Sequence, residues 1–283
     1  MAQALALTPA VPAGEGEAGR TVAAFFDVDN TLVRGASIFH VARGMAAHGM
    51  MSWPAMAEAV SRQLRFVLSG SEHPQDLRRA ASVALGFVRG RTVTEIRELG
   101  DTMFDPYIVS RLWPGTLALA HEHRAAGHEV WLVSATPQEL TDVIAHRLGL
   151  TGGLGTRAET VDGVYTGELR EGPLHGGLKA IAIGELALER GFDLDASYAY
   201  SDSGNDLPML SAVGHACAIN PDPRLRAHAE QHGWRIHDYR GDRNRKRVRV
   251  AGTAVMAVAL GAAAGAAAAH ARRGHGSISP LTG

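Results

Sequence analysis

The sequence is poor in cysteine and in net charge, and both shortages exclude classes of protein. Cys217 is its single cysteine among 283 residues, so an internal disulfide is excluded and a reducing compartment is expected. The formal net charge is −1 at pH 7, which predicts no general attraction to nucleic acid. Residues 1–20 lack the basic start and the unbroken apolar run of a signal peptide. Their Ala, Pro, Gly and Glu content predicts a disordered leader.

Strand patterns are also lacking over residues 34–112, where helical patterns replace them. Pro54 and Pro74 suit the first turn of a helix. We predict that residues 36–111 form an all-helical domain inserted between the first two strands of a larger domain. The alternative is that these helices belong to the layers of the core. The predicted helices are 38–48, 54–68, 74–88 and 93–109.

The most informative stretch that is present is residues 22–33. Its first five residues are apolar and fit a strand buried on both faces of a parallel sheet. Asp27 and Asp29 follow this strand, and in such sheets ligands bind beyond the carboxyl ends of the strands. Two neighbouring carboxylates repel each other unless a cation or a proton offsets their charge, and Mg²⁺, which prefers oxygen ligands, meets that need. The alternative is an Asp-rich turn that binds nothing.

Further polar groups follow the ends of other predicted elements. An apolar strand at residues 129–133 ends at Ser134, Lys179 opens a helical pattern, and a short strand at 198–200 ends in the acidic segment 201–208. From Trp113 onward, strands alternate with helices of about 10 to 15 residues, which predicts an α/β fold with a doubly wound, mostly parallel sheet. The other predicted elements are helices 117–126, 138–148 and 178–190, strands 155–159, 216–219 and 234–237, and a hairpin turning at Asp162 and Gly163.

Together, over about residues 22–237, these features resemble the four motifs of the haloacid dehalogenase-like superfamily of phosphohydrolases, which has a Rossmann-like core. The helical insertion and the acidic segment resemble its subfamily IB, which includes phosphoserine phosphatases. The resemblance implies a Mg²⁺-dependent phosphomonoesterase that acts through an aspartyl-phosphate on a small phosphorylated metabolite. It implies a core of residues 21–35 and 112–240, a cap of 36–111 and a separate segment of 241–283. A phosphotransferase, or a non-catalytic binding protein of the same fold, is the alternative.

The resemblance also assigns roles to the polar groups. Asp27 is the expected nucleophile, and Asp29 is the expected general acid and then general base. Ser134 and the N–H groups after it would hold the phosphoryl group, helped by the start of the next helix. Lys179 would neutralise that group and keep Asp27 ionised. The expected Mg²⁺ ligands are Asp27, Asp29 through its backbone carbonyl, Asp202 and Asp206, the last either directly or as an orienting neighbour. The other expected phosphate contacts are Thr31, Ala135, Thr136 and Asn205.

One position departs from the pattern of phosphoserine phosphatases. Those enzymes carry a glutamate nine residues after the nucleophile, where it binds the amine of the substrate, and this chain has Ala36 at that offset. The resemblance therefore carries over the chemistry of phosphate-ester hydrolysis and leaves the substrate open.

The C-terminal segment combines a basic run at residues 240–249 with 20 uncharged residues at 250–269. About 20 such residues can span a bilayer, and the basic flank would then place the phosphatase domain in the cytoplasm. Gly261 and Gly265 form a pair that can pack two helices, so a homodimer is one expectation. We expect a cytoplasmic protein with a membrane contact through residues 243–270, and a lipid-linked phosphate is then a candidate substrate. The alternative is a helix docked on the core, or a mobile tail.

Overall fold

The computed structural model of the chain describes residues 21–37, 40, 43–44 and 88–241. The predicted leader and the apolar C-terminal segment lie outside these residues, as do nearly all of the first three predicted helices of the insertion. The domain limits, the membrane contact and the homodimer therefore stay predictions. Within the part of the chain that is described, no helix has the length and apolar character needed to cross a membrane.

Of the eight strands in the described residues, six form one parallel sheet, in the order β3-β2-β1-β6-β7-β8. The chain enters the sheet at its centre, since β1 pairs with both β2 and β6. Later strands then extend the sheet on both sides, which is the predicted doubly wound architecture. The strands are β1 (Ala23–Phe26), β2 (Glu129–Pro137), β3 (Gly152–Thr156), β4 (Ala158–Val161), β5 (Val164–Leu169), β6 (Tyr198–Ser201), β7 (His215–Ile219) and β8 (Arg235–His237).

The core lies on both faces of this sheet, as the unbroken apolar run of β1 predicts. Successive side chains of a strand point to opposite faces. Phe26 accordingly packs on one face with Leu132 and Ile144, and Phe25 packs on the other with Ile183. The side chains of β1 are fully excluded from solvent. The polar residues that follow β1 are therefore held at one place by a rigid strand.

Helices cover the two faces and end where the sequence signals an end. Gly191 and Gly233 follow their helices with φ of 72° and 68°, in the left-handed conformation that glycine adopts without strain. Three predicted helices are confirmed within a few residues: 117–126, 138–148 and 178–190. The helices are α1 (Val93–Met103), α2 (Pro114–Ala125), α3 (Gln138–Arg147), α4 (Gly177–Arg190), α5 (Leu207–Leu210) and α6 (Pro223–His232).

The helix predicted at 93–109 is shorter than expected, because α1 ends at Met103. A π-helical turn, Phe104–Ile108, follows it, and then a 3₁₀ turn, Val109–Arg111. Pro106 lies inside the π turn and lacks the N–H that a regular helix needs at this point, which explains the irregularity. α1 packs against α3, and its buried residue Gly100 faces Leu140 and Val143 of that helix.

The strand predicted at 155–159 is divided between two sheets. β3 belongs to the main sheet, and β4 pairs with β5 as a separate antiparallel hairpin. The turn of the hairpin has positive φ at Asp162 and Gly163 (51° and 76°), as the predicted Asp-Gly turn requires. β3 lacks the side-chain pattern that marks a strand in a sequence, because it contains glycines at positions where neighbouring residues leave no room for a side chain. A Cβ on Gly155, for example, would lie 2.6 Å from the Cα of Gln138.

A buried histidine joins α2 to β6. The Nδ1 atom of His123 lies 2.8 Å from Nδ1 of His128, and its Nε2 atom lies 2.7 Å from the hydroxyl of Tyr200. Burial lowers the pKa of His123 to about 3, and the neighbouring His128 adds to this effect. A histidine in the unfolded chain has a pKa near 6.5. As the pH falls, His123 therefore binds a proton in the unfolded state at a higher pH than in the folded state.

We predict that His123 makes the protein lose stability in acid. Between pH 6.5 and about pH 3, each unit of pH should lower the free energy of unfolding by about 1.4 kcal/mol through this group. Urea unfolding of the wild type and of His123→Gln at pH 7 and pH 5 measures the effect, and the wild type should lose about 2 kcal/mol more than the variant over that interval. His121→Gln, an exposed position of the same helix, should keep the wild-type pH dependence. Equal pH dependence in the wild type and His123→Gln would contradict this assignment.

Candidate active site

Polar residues from distant parts of the sequence meet where β1 and its neighbours end. Asp27 follows β1 directly, and its N–H donates to the carbonyl of Tyr200 on β6 (2.9 Å). Asp202 follows β6, and Ser134 lies in the last part of β2. Because the three strands are parallel, their carboxyl ends open at the same edge of the sheet.

A tight turn after β1 presents Asp29 and Thr31. The N–H groups of Leu32 and Val33 both donate to the carbonyl of Val28, at 2.9 and 2.8 Å. Asn30 takes a left-handed conformation with φ of 63°, which asparagine tolerates better than most residues. The chain therefore reverses within a few residues, and the side chains on either side of Asn30 stay at the sheet edge.

The buried ammonium group of Lys179 links two carboxylates. Its Nζ atom donates to Oδ1 of Asp27 (2.6 Å) and to Oδ2 of Asp206 (2.7 Å), and each of the three side chains is less than a tenth exposed. Burial alone would lower the pKa of Lys179, but the two carboxylates outweigh it and raise that pKa. For Asp27, burial raises the pKa and the charge of Lys179 opposes the increase. Lys179 is thus held as a cation, and it favours the ionised form of Asp27.

Thr31 brings Asp202 to the same cluster. Its hydroxyl donates to Oδ2 of Asp27 (2.9 Å) and also lies 3.5 Å from Oδ1 of Asp202. Burial, followed by repulsion from the charges of Asp27 and Asp206, raises the pKa of Asp202. The cluster therefore contains one ammonium group and three carboxyl groups. When the carboxyl groups are ionised, its negative charge exceeds its positive charge.

The donor set at this cluster fits a hard divalent cation. Asp27 and Asp202 offer carboxylate oxygens close to one hydroxyl, and Mg²⁺ is commonly held by one or two carboxylates with water molecules and other oxygens. The carboxylate of Asp29 is turned elsewhere, since its Oδ1 accepts from the N–H of Ser37 (2.8 Å). In the described ranges, no group of three or more His, Cys, Asp or Glu side chains forms a complete metal site. A cation here would therefore also need backbone or water oxygens.

The end of β2 forms a second group of polar contacts. Ser134 donates from its hydroxyl to the hydroxyl of Thr136 (3.0 Å) and accepts from the N–H of Thr136 (3.1 Å). Ala135, between them, is exposed. The hydroxyl of Thr136 is also hydrogen-bonded to that of Ser37, with 2.8 Å between the two oxygens. This second group therefore leads to Ser37 and Asp29, while the first surrounds Asp27.

The acidic segment after β6 is fixed by residues that the sequence did not single out. Ser201 donates to Oδ2 of Asp206 (2.7 Å), and Asp222 accepts from the N–H of Gly204 (2.8 Å). The N–H of Asn205 donates to Ser203 (3.2 Å) within the same turn. Ser201 directly follows the strand predicted at 198–200, a position that could have drawn attention to it. Ser37 is helical and directly precedes the helix predicted at 38–48, and the sequence does not mark it as a partner of Asp29.

Comparison with known proteins agrees with this fold. The sequence profile of the haloacid dehalogenase-like hydrolase family matches residues 24–211, which is more than half of the chain. The chain belongs to this family, and it is a phosphatase of the family. The resemblance drawn from the motifs is thereby confirmed.

Three relatives illustrate the range of the family around this chain. A phosphoserine phosphatase of Mycobacterium tuberculosis is 49% identical over 83% of this chain and 77% of its own length. The inhibition of morphological differentiation protein of Streptomyces azureus is 35% identical over 77% of this chain and 78% of its own. A solved structure of a protein with unknown function from Bordetella pertussis superposes with a TM-score of 0.69 at 29% identity, over 78% of this chain and all of that one.

We predict that removing the charge of Lys179 destabilises the fold. Lys179→Met leaves the buried carboxylates of Asp27 and Asp206 without their cation, and removing one partner of a buried ion pair costs roughly 3–5 kcal/mol. Chemical denaturation measures the loss. Adding Asp206→Asn to Lys179→Met should recover part of it, because one unpaired charge disappears. Glu189→Met, exposed on the same helix, should unfold like the wild type, and a Lys179→Met protein of unchanged stability would contradict the prediction.

Proposed function

We propose that this phosphatase hydrolyses small phosphomonoesters with Mg²⁺, through an aspartyl-phosphate on Asp27. The observation that carries the proposal is the convergence of Lys179, Thr31 and Asp202 on the carboxylate of Asp27. Each oxygen of that carboxylate has one donor, Lys179 on Oδ1 and Thr31 on Oδ2. A carboxylate held in this way keeps lone pairs for attack, and the adjacent cation favours its ionised form against the effect of burial.

In the first step, an oxygen of Asp27 forms a bond to phosphorus while the bond from phosphorus to the ester oxygen breaks. Asp29 donates its proton to the departing oxygen. Burial raises the pKa of Asp29, although hydrogen bonds from Ser37 oppose the increase, and a raised pKa suits a carboxyl group that acts as a general acid. Ser134 and the N–H groups at the start of α3 would hold the phosphoryl oxygens.

In the second step, Asp29, now ionised, takes a proton from a water molecule that attacks the phosphorus atom. The bond between phosphorus and Asp27 breaks, inorganic phosphate leaves, and both carboxyl groups return to their first state. Lys179 stays charged throughout and stabilises the negative charge on the transferring group. Mg²⁺, held by Asp27, Asp202 and the backbone carbonyl of Asp29, would supply further positive charge to the phosphoryl oxygens. Asp206 would orient Lys179, which it contacts directly.

The substrate is proposed only as a class. Phosphoserine is the substrate named for the relative in Mycobacterium tuberculosis and is the first compound to test. Ala36 offers no negative charge for an amine at the position where phosphoserine phosphatases carry glutamate. A panel of phosphorylated metabolites, with phosphoserine beside its analogue lacking the amine, tests whether the amine contributes to recognition.

We predict that Asp27→Asn lowers kcat at least about 10³-fold, because the amide cannot form the covalent intermediate. Release of phosphate from p-nitrophenyl phosphate and from phosphoserine, with Mg²⁺ present, measures the loss. Asp162→Asn, a matched change in the exposed hairpin turn, should retain wild-type activity. Retention of more than a tenth of the activity by Asp27→Asn would rule out Asp27 as the nucleophile.

We predict that Asp202→Ala raises the Mg²⁺ concentration required for half-maximal activity at least about ten-fold, because one carboxylate ligand is lost. Titration of activity with Mg²⁺ after treatment with a chelator measures this requirement. The wild type should be inactive after chelation and recover fully when Mg²⁺ is returned. Activity that survives chelation, or an unchanged Mg²⁺ requirement in Asp202→Ala, would contradict the proposed metal site.

A further inference from the structure

Ser37 lies between the two groups of polar residues and has no role assigned so far. It is fully buried. Its N–H donates to Oδ1 of Asp29, and its hydroxyl oxygen lies 2.8 Å from that of Thr136. Hydrogen bonding from Ser37 also opposes the rise that burial causes in the pKa of Asp29. One small residue therefore contacts both the expected general acid and the end of β2.

Three hydroxyl groups form a row that ends at Ser37, whose N–H binds Asp29. Ser134 donates to Thr136, which leaves the proton of Thr136 for the hydroxyl of Ser37. Thr136 thus donates once and accepts once, as its chemistry allows. The three side chains are at most 3% exposed, so water cannot readily replace a partner, and loss of one leaves a buried polar group unpaired.

We propose that Ser37 is a positioning residue that fixes the carboxyl group of Asp29 for proton transfer to the leaving group and ties it to the phosphate-holding end of β2. The inference rests on the proposed function, and it concerns the orientation of the acid. Ser37 carries no charge, so its effect is on the orientation of the Asp29 carboxyl group and on its distance from the leaving group. Asp29 lies in the turn after β1, next to the exposed Asn30, and the N–H of Ser37 is the donor to its carboxylate oxygen Oδ1.

The position of Asp29 affects the rate of ester cleavage most when the leaving group needs a proton. Nitrophenolate leaves readily without one, whereas phenolate, of nearly the same size and shape, is more basic and gains more from protonation. A displaced Asp29 should therefore slow phenyl phosphate more than p-nitrophenyl phosphate. A general loss of structure would slow both alike.

The test is kcat/KM of the full chain with Mg²⁺ for these two esters, since kcat/KM reports the step in which the leaving group departs. Ser37→Ala removes the hydroxyl and keeps the N–H. It should lower kcat/KM for phenyl phosphate about ten-fold or more, within the range that a general acid contributes, and for p-nitrophenyl phosphate less than about three-fold. Ser211→Ala, exposed and outside the site, should change neither value.

Two further variants secure the result. Thr136→Val breaks the same row from the side of β2 and should give the same selective loss, so a Ser37→Ala protein that fails to fold does not end the test. The double variant should lose no more than either single one, because the row is broken once. Equal losses for both esters, no loss, or a larger loss for p-nitrophenyl phosphate would overturn the role of Ser37.

Failure of the proposed function has a different signature. Asp29→Asn should show the selective loss in a stronger form, because it removes the acid itself. If Asp29→Asn shows no selectivity, or if the wild type hydrolyses neither ester, the assignment of the acid or of the phosphatase site is at fault. If Asp29→Asn is selective and Ser37→Ala is not, only the role of Ser37 fails.

Discussion

The pairing of one buried ammonium group with several carboxylates is the constraint on which the site depends. Lys179 contacts Asp27 and Asp206, and Asp202 lies across the hydroxyl of Thr31 from Asp27. Three carboxylates (−3) and one ammonium group (+1) leave a formal charge of −2 when all are ionised. Buried charge of one sign is costly, and a phosphate ester would add to it. A divalent cation would cancel this charge, so the cluster that stabilises Lys179 also supports the proposed Mg²⁺ site.

The topology of the sheet makes this cluster possible. Lys179 is 152 positions from Asp27, and Thr31 is 171 positions from Asp202, so nothing local brings these side chains together. β1 lies between β2 and β6, and its residues are locked by packing on both faces. Polar groups that follow the ends of three parallel strands then share one edge, and only short turns are needed to aim them.

Prediction from the sequence succeeded where a local pattern marks a fixed place in the fold. An apolar run that ends at Asp27 marks the end of a buried strand, and similar signals located Lys179 and Asp202. It failed where the determining contact is distant or depends on close packing. The division of β3 from β4 follows from glycines that pack without side chains, and the π turn follows from Pro106 in a helical pattern. The role inferred for Ser37 depends on hydroxyl contacts across 99 positions, for which the sequence holds no signal.

The site divides its chemistry between a charged cluster and a neutral row. In the proposed mechanism, Lys179, Asp27 and Asp202 would balance the charge of the transferring phosphoryl group, which is the main demand of phosphoryl transfer. The hydroxyls of Ser134, Thr136 and Ser37 carry no charge and lead to Asp29, whose proposed task is to move one proton. The N–H of Ser37 favours the ionised form of Asp29 and burial favours the protonated form, so the two effects oppose each other. A charged partner would favour one state and so impede the return of Asp29 from acid to base within each turnover.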